Sequence, residues 1–98
     1  MAEDDIKRDP EVVAVAYADQ FKKALNAWKK KDRSFFSQLI EHTDKIIQNP
    51  FLGKPFRYSY KNNRRVHICP FVLVYEFHDK ILRFIDLDHH DKIYKKYK

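Results

Sequence analysis

The side chains able to do chemistry are concentrated in the second half of this 98-residue chain. Lys54, Arg57, Lys61, Arg64 and Arg65 place five cations between Lys54 and His67 with no carboxylate among them, and Tyr58 and Tyr60 are interleaved. Such a run attracts phosphates by releasing condensed counterions, and aromatic rings beside it can stack on unpaired bases. The alternative is a solvated basic face kept for solubility. Farther along, Asp86, Asp88 and His90 alternate on one extended face, with His89 and Asp91 adjacent. Carboxylates plus imidazole suit a divalent transition metal. Three ligands on one straight strand lie about 6.5–7 Å apart, however, and do not converge readily on one ion. The acids can equally orient the histidines or end the strand with solvated charge. The expectation is therefore no metal and no other cofactor. His42 and His78 fall outside all of these patterns.

Composition removes several classes of function. Gly53 is the only glycine, and a loop that cradles phosphate needs several, so P-loop and dinucleotide fingerprints are absent. The Gly-x-Ser-x-Gly hydrolase elbow is absent too. Cys69 is the single cysteine, which excludes an intramolecular disulfide and an all-cysteine metal cage. The longest apolar run, Val12 to Tyr17, is far short of the roughly 18 residues of a membrane span. The expectation is a cytoplasmic protein with no membrane partner. Residues 1–50 carry nine Lys/Arg and nine Asp/Glu, so the net charge of +6 lies entirely in residues 51–98.

Hydrophobic periodicity supplies the elements that must position these residues. Residues 1–10 are mostly charged and end in Pro10, which predicts a mobile tail ahead of a single domain over 11–98. Val12–Tyr17 is apolar and β-branched, which predicts a buried strand. Asp19 can cap a helix that places Phe21, Ala24, Leu25 and Trp28 on one face. Asp32-Arg33-Ser34 breaks the pattern and offers a fresh cap. Phe36, Leu39, Ile40, Thr43, Ile46 and Ile47 then form a second stripe, ended by Asn49-Pro50. Beyond Pro55 the period becomes two. Strands are predicted over Arg57–Tyr60, Arg65–Ile68, Phe71–Phe77 (central) and Ile81–Leu87, with turns at Lys61-Asn62-Asn63 and His78-Asp79-Lys80. His89–Lys98 reads as a polar, basic tail. The fold class is α+β: an N-terminal strand and a two-helix hairpin packed on a curled, mostly antiparallel sheet, in the order β-α-α-β-β-β-β.

Four segments in this order resemble the RelE/ParE superfamily of small toxins, and in particular its messenger-RNA interferase branch with archaeal relatives. They are Val13-Ala14-Val15-Ala16-Tyr17 leading into Phe21-Lys22-Lys23-Ala24-Leu25, the join Asn49-Pro50-Phe51-Leu52-Gly53-Lys54-Pro55, the strand Phe71-Val72-Leu73-Val74-Tyr75-Glu76-Phe77, and His89-His90-Asp91-Lys92-Ile93-Tyr94. The resemblance implies a RelE-like fold and a toxin of a type II toxin–antitoxin pair. One branch is an endoribonuclease that cleaves messenger RNA, usually on the ribosome. The other is a gyrase-type inhibitor without nuclease activity. Both are held inactive by a cognate antitoxin protein.

The resemblance also implies roles. Arg65 and His67 are two apart and so share a strand face; they match the strand that presents basic or imidazole groups to RNA. His90 matches a position often Arg or His, and Tyr94 a catalytic or base-stacking tyrosine. Metal-free RNA cleavage needs a base for the ribose 2′-OH, cations for the charge on phosphorus, and an acid for the departing 5′-oxygen. His67 and His90 are the candidate acid–base pair in either assignment, Arg65 the phosphate stabiliser, and Tyr94 a stacking or proton-sharing group. Lys54, Arg57, Lys61 and Arg64 would hold the RNA backbone. Without the resemblance, each histidine is an ordinary surface residue, and Tyr94 could simply pack the C-terminal segment onto the sheet, as Tyr97 is expected to do. One departure favours the alternative of a non-nuclease or weakly catalytic RNA-binding protein: where the family commonly has an arginine that stabilises the phosphate, this chain has Val72.

Overall fold

The computed structural model describes residues 12–56 and 62–97. The expected tail over 1–10, the strand Arg57–Tyr60, and the sites at Arg57 and Lys61 lie outside these residues. The described elements are β1 (Ala14–Tyr17), α1 (Asp19–Lys31), α2 (Arg33–Gln48), β2 (Lys54–Pro55), β3 (Asn63–Ile68), β4 (Phe71–His78), β5 (Ile81–His89) and α3 (His90–Lys96). The strands form one open sheet in the order β1-β5-β4-β3-β2. β1 runs parallel to β5, and every other pair is antiparallel.

α1 and α2 cover one face of the sheet. Phe21, Leu39 and Ile46 pack on Ile68, Leu73, Tyr75, Leu82, Phe84 and Leu87. Aromatic pairs close this layer: Phe21 stacks on Phe84 at 5.4 Å, and Trp28 meets Phe71 edge-on at 5.0 Å. The carboxylate of Asp32 accepts the Phe35 N–H at 3.1 Å and starts α2 as expected. α1 is started by Ala18 without a side-chain cap, and Asp19 sits instead inside the first turn, where its charge complements the helix dipole.

Two further expectations are corrected. Val12–Tyr17 is not a buried strand: β1 has one neighbour among the described residues, and Val13 is 72% exposed. His89–Lys98 is not a plain tail, because β5 runs on to His89 and residues His90–Lys96 form α3. This helix packs on the opposite face of the sheet, where Ile93 is buried against Val72 and Val74.

A bulge places α3. The ladder passes from Tyr75↔Phe84 to Val74↔Asp86, leaving Ile85 as the extra residue. Leu82 and Phe84 face α1 and α2; beyond the bulge Leu87 does so, and Asp86 and Asp88 turn to the α3 face. Strict alternation from Phe84 would have driven both carboxylates into the apolar layer.

The join between α2 and β2 is fixed from the central strand. The buried Tyr75 hydroxyl donates to the Pro50 carbonyl at 2.8 Å and accepts the Gly53 N–H at 2.8 Å. A Cβ on Gly53 would lie 2.8 Å from the Arg65 carbonyl oxygen and 2.9 Å from the Tyr75 ring. The sole glycine therefore serves a close approach of two backbones. Gly53→Ala is expected to lower stability by about 1–3 kcal/mol, because the clash is with backbone that cannot rotate away. The check is a reduced urea midpoint at unchanged m-value.

Candidate active site

The site is built where α3 crosses the end of β3. Alternation along β3 sends Arg65 and His67 to the α3 face, opposite Val74 and Val72. The ring nitrogen Nε2 of His67 lies 2.9 Å from the Tyr94 hydroxyl, joining residues 27 apart in the chain. The Arg65 guanidinium sits 5.9 Å from the centroid of the Tyr94 ring and 5.2 Å from that of Phe56. Arg65 Nη1 donates to the Pro55 carbonyl at 3.1 Å, while its buried Nε has no hydrogen-bond partner among the described residues. His90 opens α3 one turn before Tyr94, with ring centroids 6.4 Å apart. Tyr94 is thus the hub around which Arg65, His67 and His90 gather.

The other expected residues separate. Arg64 points to the face of α1 and α2, where Nη1 donates to the Gly53 carbonyl at 2.7 Å and the guanidinium stacks 4.9 Å from the Phe51 centroid. It braces the loop rather than joining the cluster. Lys54 is exposed on β2, beside Arg65 in the ladder. Val72 lies under α3 against Ile93, so this position helps to seat the helix that carries Tyr94.

Tyr97 packs the C-terminal segment onto the sheet as expected, but the carboxylates that hold α3 in place were not anticipated. Asp86, only 4% exposed, accepts from Lys96 Nζ at 2.9 Å, the Tyr97 hydroxyl at 3.1 Å and the Leu87 N–H at 2.9 Å. Asp88 accepts from the same Lys96 at 3.3 Å. Lys96 therefore occupies the two carboxylates that alternation offered to a metal. The described residues that could bring three ligand atoms within 4.8 Å of one another are His89, His90 and Asp91. Within that group, His89 Nδ1 accepts the Asp91 N–H at 3.3 Å and His90 Nδ1 lies 3.1 Å from the Asp91 carboxylate. Those contacts form a helix start.

Ionisation is coupled to this anchor. Burial pulls the Asp88 carboxyl upward, but the His89 N–H and Lys96 outweigh it, and the group titrates below 3.8. Burial likewise works against charge on Lys96, but Asp86 and Asp88 outweigh it and hold the ammonium above 10.5.

Comparison with known proteins follows the same lines. Residues 3–94 match the family described as the ParE toxin of type II toxin–antitoxin systems, parDE. The chain belongs to the RelE/ParE toxin family. It is 38% identical over 79 residues to a Methanocaldococcus jannaschii protein carried under the name of a RelE4 toxin, covering 78% of this chain and 84% of that one. Its fold is similar to that of a YoeB/ParE toxin from Agrobacterium tumefaciens, with a TM-score of 0.72 and 14% identity over 80% of this chain and 99% of that one. It is also similar to a chain of the E. coli DinJ–YafQ toxin–antitoxin complex, with a TM-score of 0.67 and 24% identity over 82% and 94% of the two chains. The expected RelE-like α+β architecture is thus the observed one, with α3 added. No helix among the described residues is long and apolar enough to cross a membrane.

The anchor makes a pH prediction. The folded chain resists protonation of Asp88, so the unfolded chain binds that proton first and stability falls as pH drops below 3.8. The folded chain resists deprotonation of Lys96 and of the buried Tyr75 phenol, which burial raises above 10.0, so stability also falls as pH rises above 10.0–10.5. Urea midpoints measured across pH should show both losses, and Lys96→Met should flatten the acid one. An unchanged acid limb in Lys96→Met would contradict the coupling.

Proposed function

We propose that this toxin is an endoribonuclease that cleaves messenger RNA, held on the ribosome, by metal-independent attack of the 2′-OH. The observation that carries this reading is the contact between His67 Nε2 and the Tyr94 hydroxyl, with the Arg65 guanidinium over the same ring. A hydrogen-bonded imidazole and phenol can pass a proton, and a cation beside them can neutralise charge as it builds on phosphorus. A binding surface alone has no need of such a pair.

In the proposed reaction one histidine of the pair His67/His90 takes the 2′-OH proton, directly or through Tyr94. The 2′-oxygen bonds to phosphorus, the P–O5′ bond breaks, and the other histidine protonates the leaving 5′-oxygen. The products are a 2′,3′-cyclic phosphate and a 5′-hydroxyl. Arg65 steadies the phosphorane oxygens. Lys54, Arg57 and Lys61 hold the RNA backbone, and Arg64 braces the loop that carries Lys54. A cognate antitoxin, as in the DinJ–YafQ complex, would hold the chain inactive in a cytoplasmic setting. Val72 favours one second reading, a non-nuclease binding toxin of the gyrase-inhibitor kind, because the phosphate would then rest on Arg65 alone.

His67→Ala and His90→Ala should each slow cleavage of ribosome-bound messenger RNA by roughly 10²-fold or more. Both side chains lie outside the two apolar layers, so the fold should persist. EDTA should have no effect, and growth arrest on expression should disappear in both variants. Equal cleavage by wild type and variants would remove the assignment. Growth arrest without any cleavage would favour the binding toxin.

A further inference from the structure

β2 pairs only two residues, Lys54 and Pro55, with Arg65 and Arg64. Beyond Arg65 no strand among the described residues lies beside the outer edge of β3, because Phe51–Gly53 leaves the ladder to reach the Pro50 carbonyl held by Tyr75. The gap is a groove of about 370 Å³ that runs from the C-terminal half of α2 around the sheet edge to His67. That volume falls in the range of ligand-binding clefts, about 300–1,000 Å³. His42 and Lys45 of α2 face Lys54, Arg65 and His67 across it, and among the described residues no carboxylate lines it. Lys45 and Lys54 have no ion-pair partner among the described residues. The Gln38 carbonyl accepts from His42 Nδ1 at 2.7 Å, which leaves Nε2 available to the groove. Three cations and two imidazoles in one concave strip, with no acid among the described residues to neutralise them, recognise an anion.

We infer that this groove is a second phosphate subsite on the path of the RNA strand, and that His42 and Lys45 are RNA-contacting residues on the side of the molecule away from α3. The inference rests on the ribonuclease reading, since it takes the strand that reaches His67 and continues it over the β3 edge to α2. The phosphate next to the reacting one lies among Lys45, Lys54 and His42, and a short basic strand β2 is what leaves room for it.

The test uses the whole chain, freed of any antitoxin, and a short single-stranded RNA bearing 2′-O-methyl groups, which blocks 2′-OH attack. Affinity is read by fluorescence anisotropy over a salt series for wild type, His42→Gln, Lys45→Gln and, as a charge control, Lys22→Gln on α1. Glutamine is a good helix former, and Lys45 is exposed, so the fold should hold. Lys45→Gln should bind about 3–10-fold more weakly at low salt and lose about 0.7 from the logarithmic salt slope, the share of one phosphate on a single strand. His42→Gln should weaken binding in the same direction, and Lys22→Gln should match wild type. If Lys45→Gln and His42→Gln match Lys22→Gln in affinity and slope, the subsite is overturned while the ribonuclease reading stands. If wild type neither binds this RNA nor cleaves its unmethylated form on the ribosome, the ribonuclease reading falls and the subsite with it.

Discussion

Asp86 places a carboxylate beside the apolar cluster of Val72, Val74 and Ile85, and α3 is docked by answering it. The bulge at Ile85 creates this situation, since without it Asp86 would point into the layer beneath α1 and α2. A charge this buried needs partners, and removing them would leave it at a cost of several kcal/mol. Lys96 and Tyr97 supply the partners from the last turn of α3 and the residue after it. Ile93 then closes on Val72 and Val74, and Tyr94, one position on, meets His67. A seven-residue helix is too short to be stable alone, so its position is set by these tertiary contacts.

The opposite side of the sheet has its own fixed point. Tyr75 stands at the centre of β4, fills the layer under α2, and spends its hydroxyl on the Pro50–Gly53 join. Arg64 adds a second tie to the same loop. Adjacent residues of β3 therefore divide the work: Arg64 holds the loop on one face while Arg65 meets Tyr94 on the other. Two adjacent cations of the basic run thus lie on two surfaces in space. The loop Arg64 braces shortens β2 and opens the groove along the β3 edge.

Much of this was legible in the residues. The stripe Phe21, Ala24, Leu25 and Trp28, and the one through Leu39, Thr43 and Ile46, predict α1 and α2 because buried helix faces repeat every 3.6 residues. Phe71–Phe77 predicts the central strand because both of its faces are covered. The convergence of Arg65, His67, His90 and Tyr94 follows from ordered motifs, which carry long-range geometry that local periodicity does not. α3 was not legible: over seven residues only Ile93 is a buried apolar position, and Lys96 is a charge whose partner lies ten residues away in Asp86. The exposure of Val12–Tyr17 was hidden for a similar reason, since an apolar run does not reveal whether one strand or two will flank it. His42 carried no signal at all, because its meaning comes from β3 lying opposite.

In the proposed reaction the cluster around Tyr94 turns the ribose 2′-hydroxyl of the RNA itself into the nucleophile. The most direct measurement replaces that hydroxyl in the substrate. A messenger RNA with a single 2′-deoxy nucleotide on the 5′ side of the mapped cleavage bond is placed in programmed ribosomes and treated with the wild-type toxin. Cleavage at that bond should be abolished while the same sequence with the intact ribose is cut. Cleavage of the deoxy-substituted bond at a comparable rate would contradict the proposed reaction, because the attacking oxygen would then have come from elsewhere.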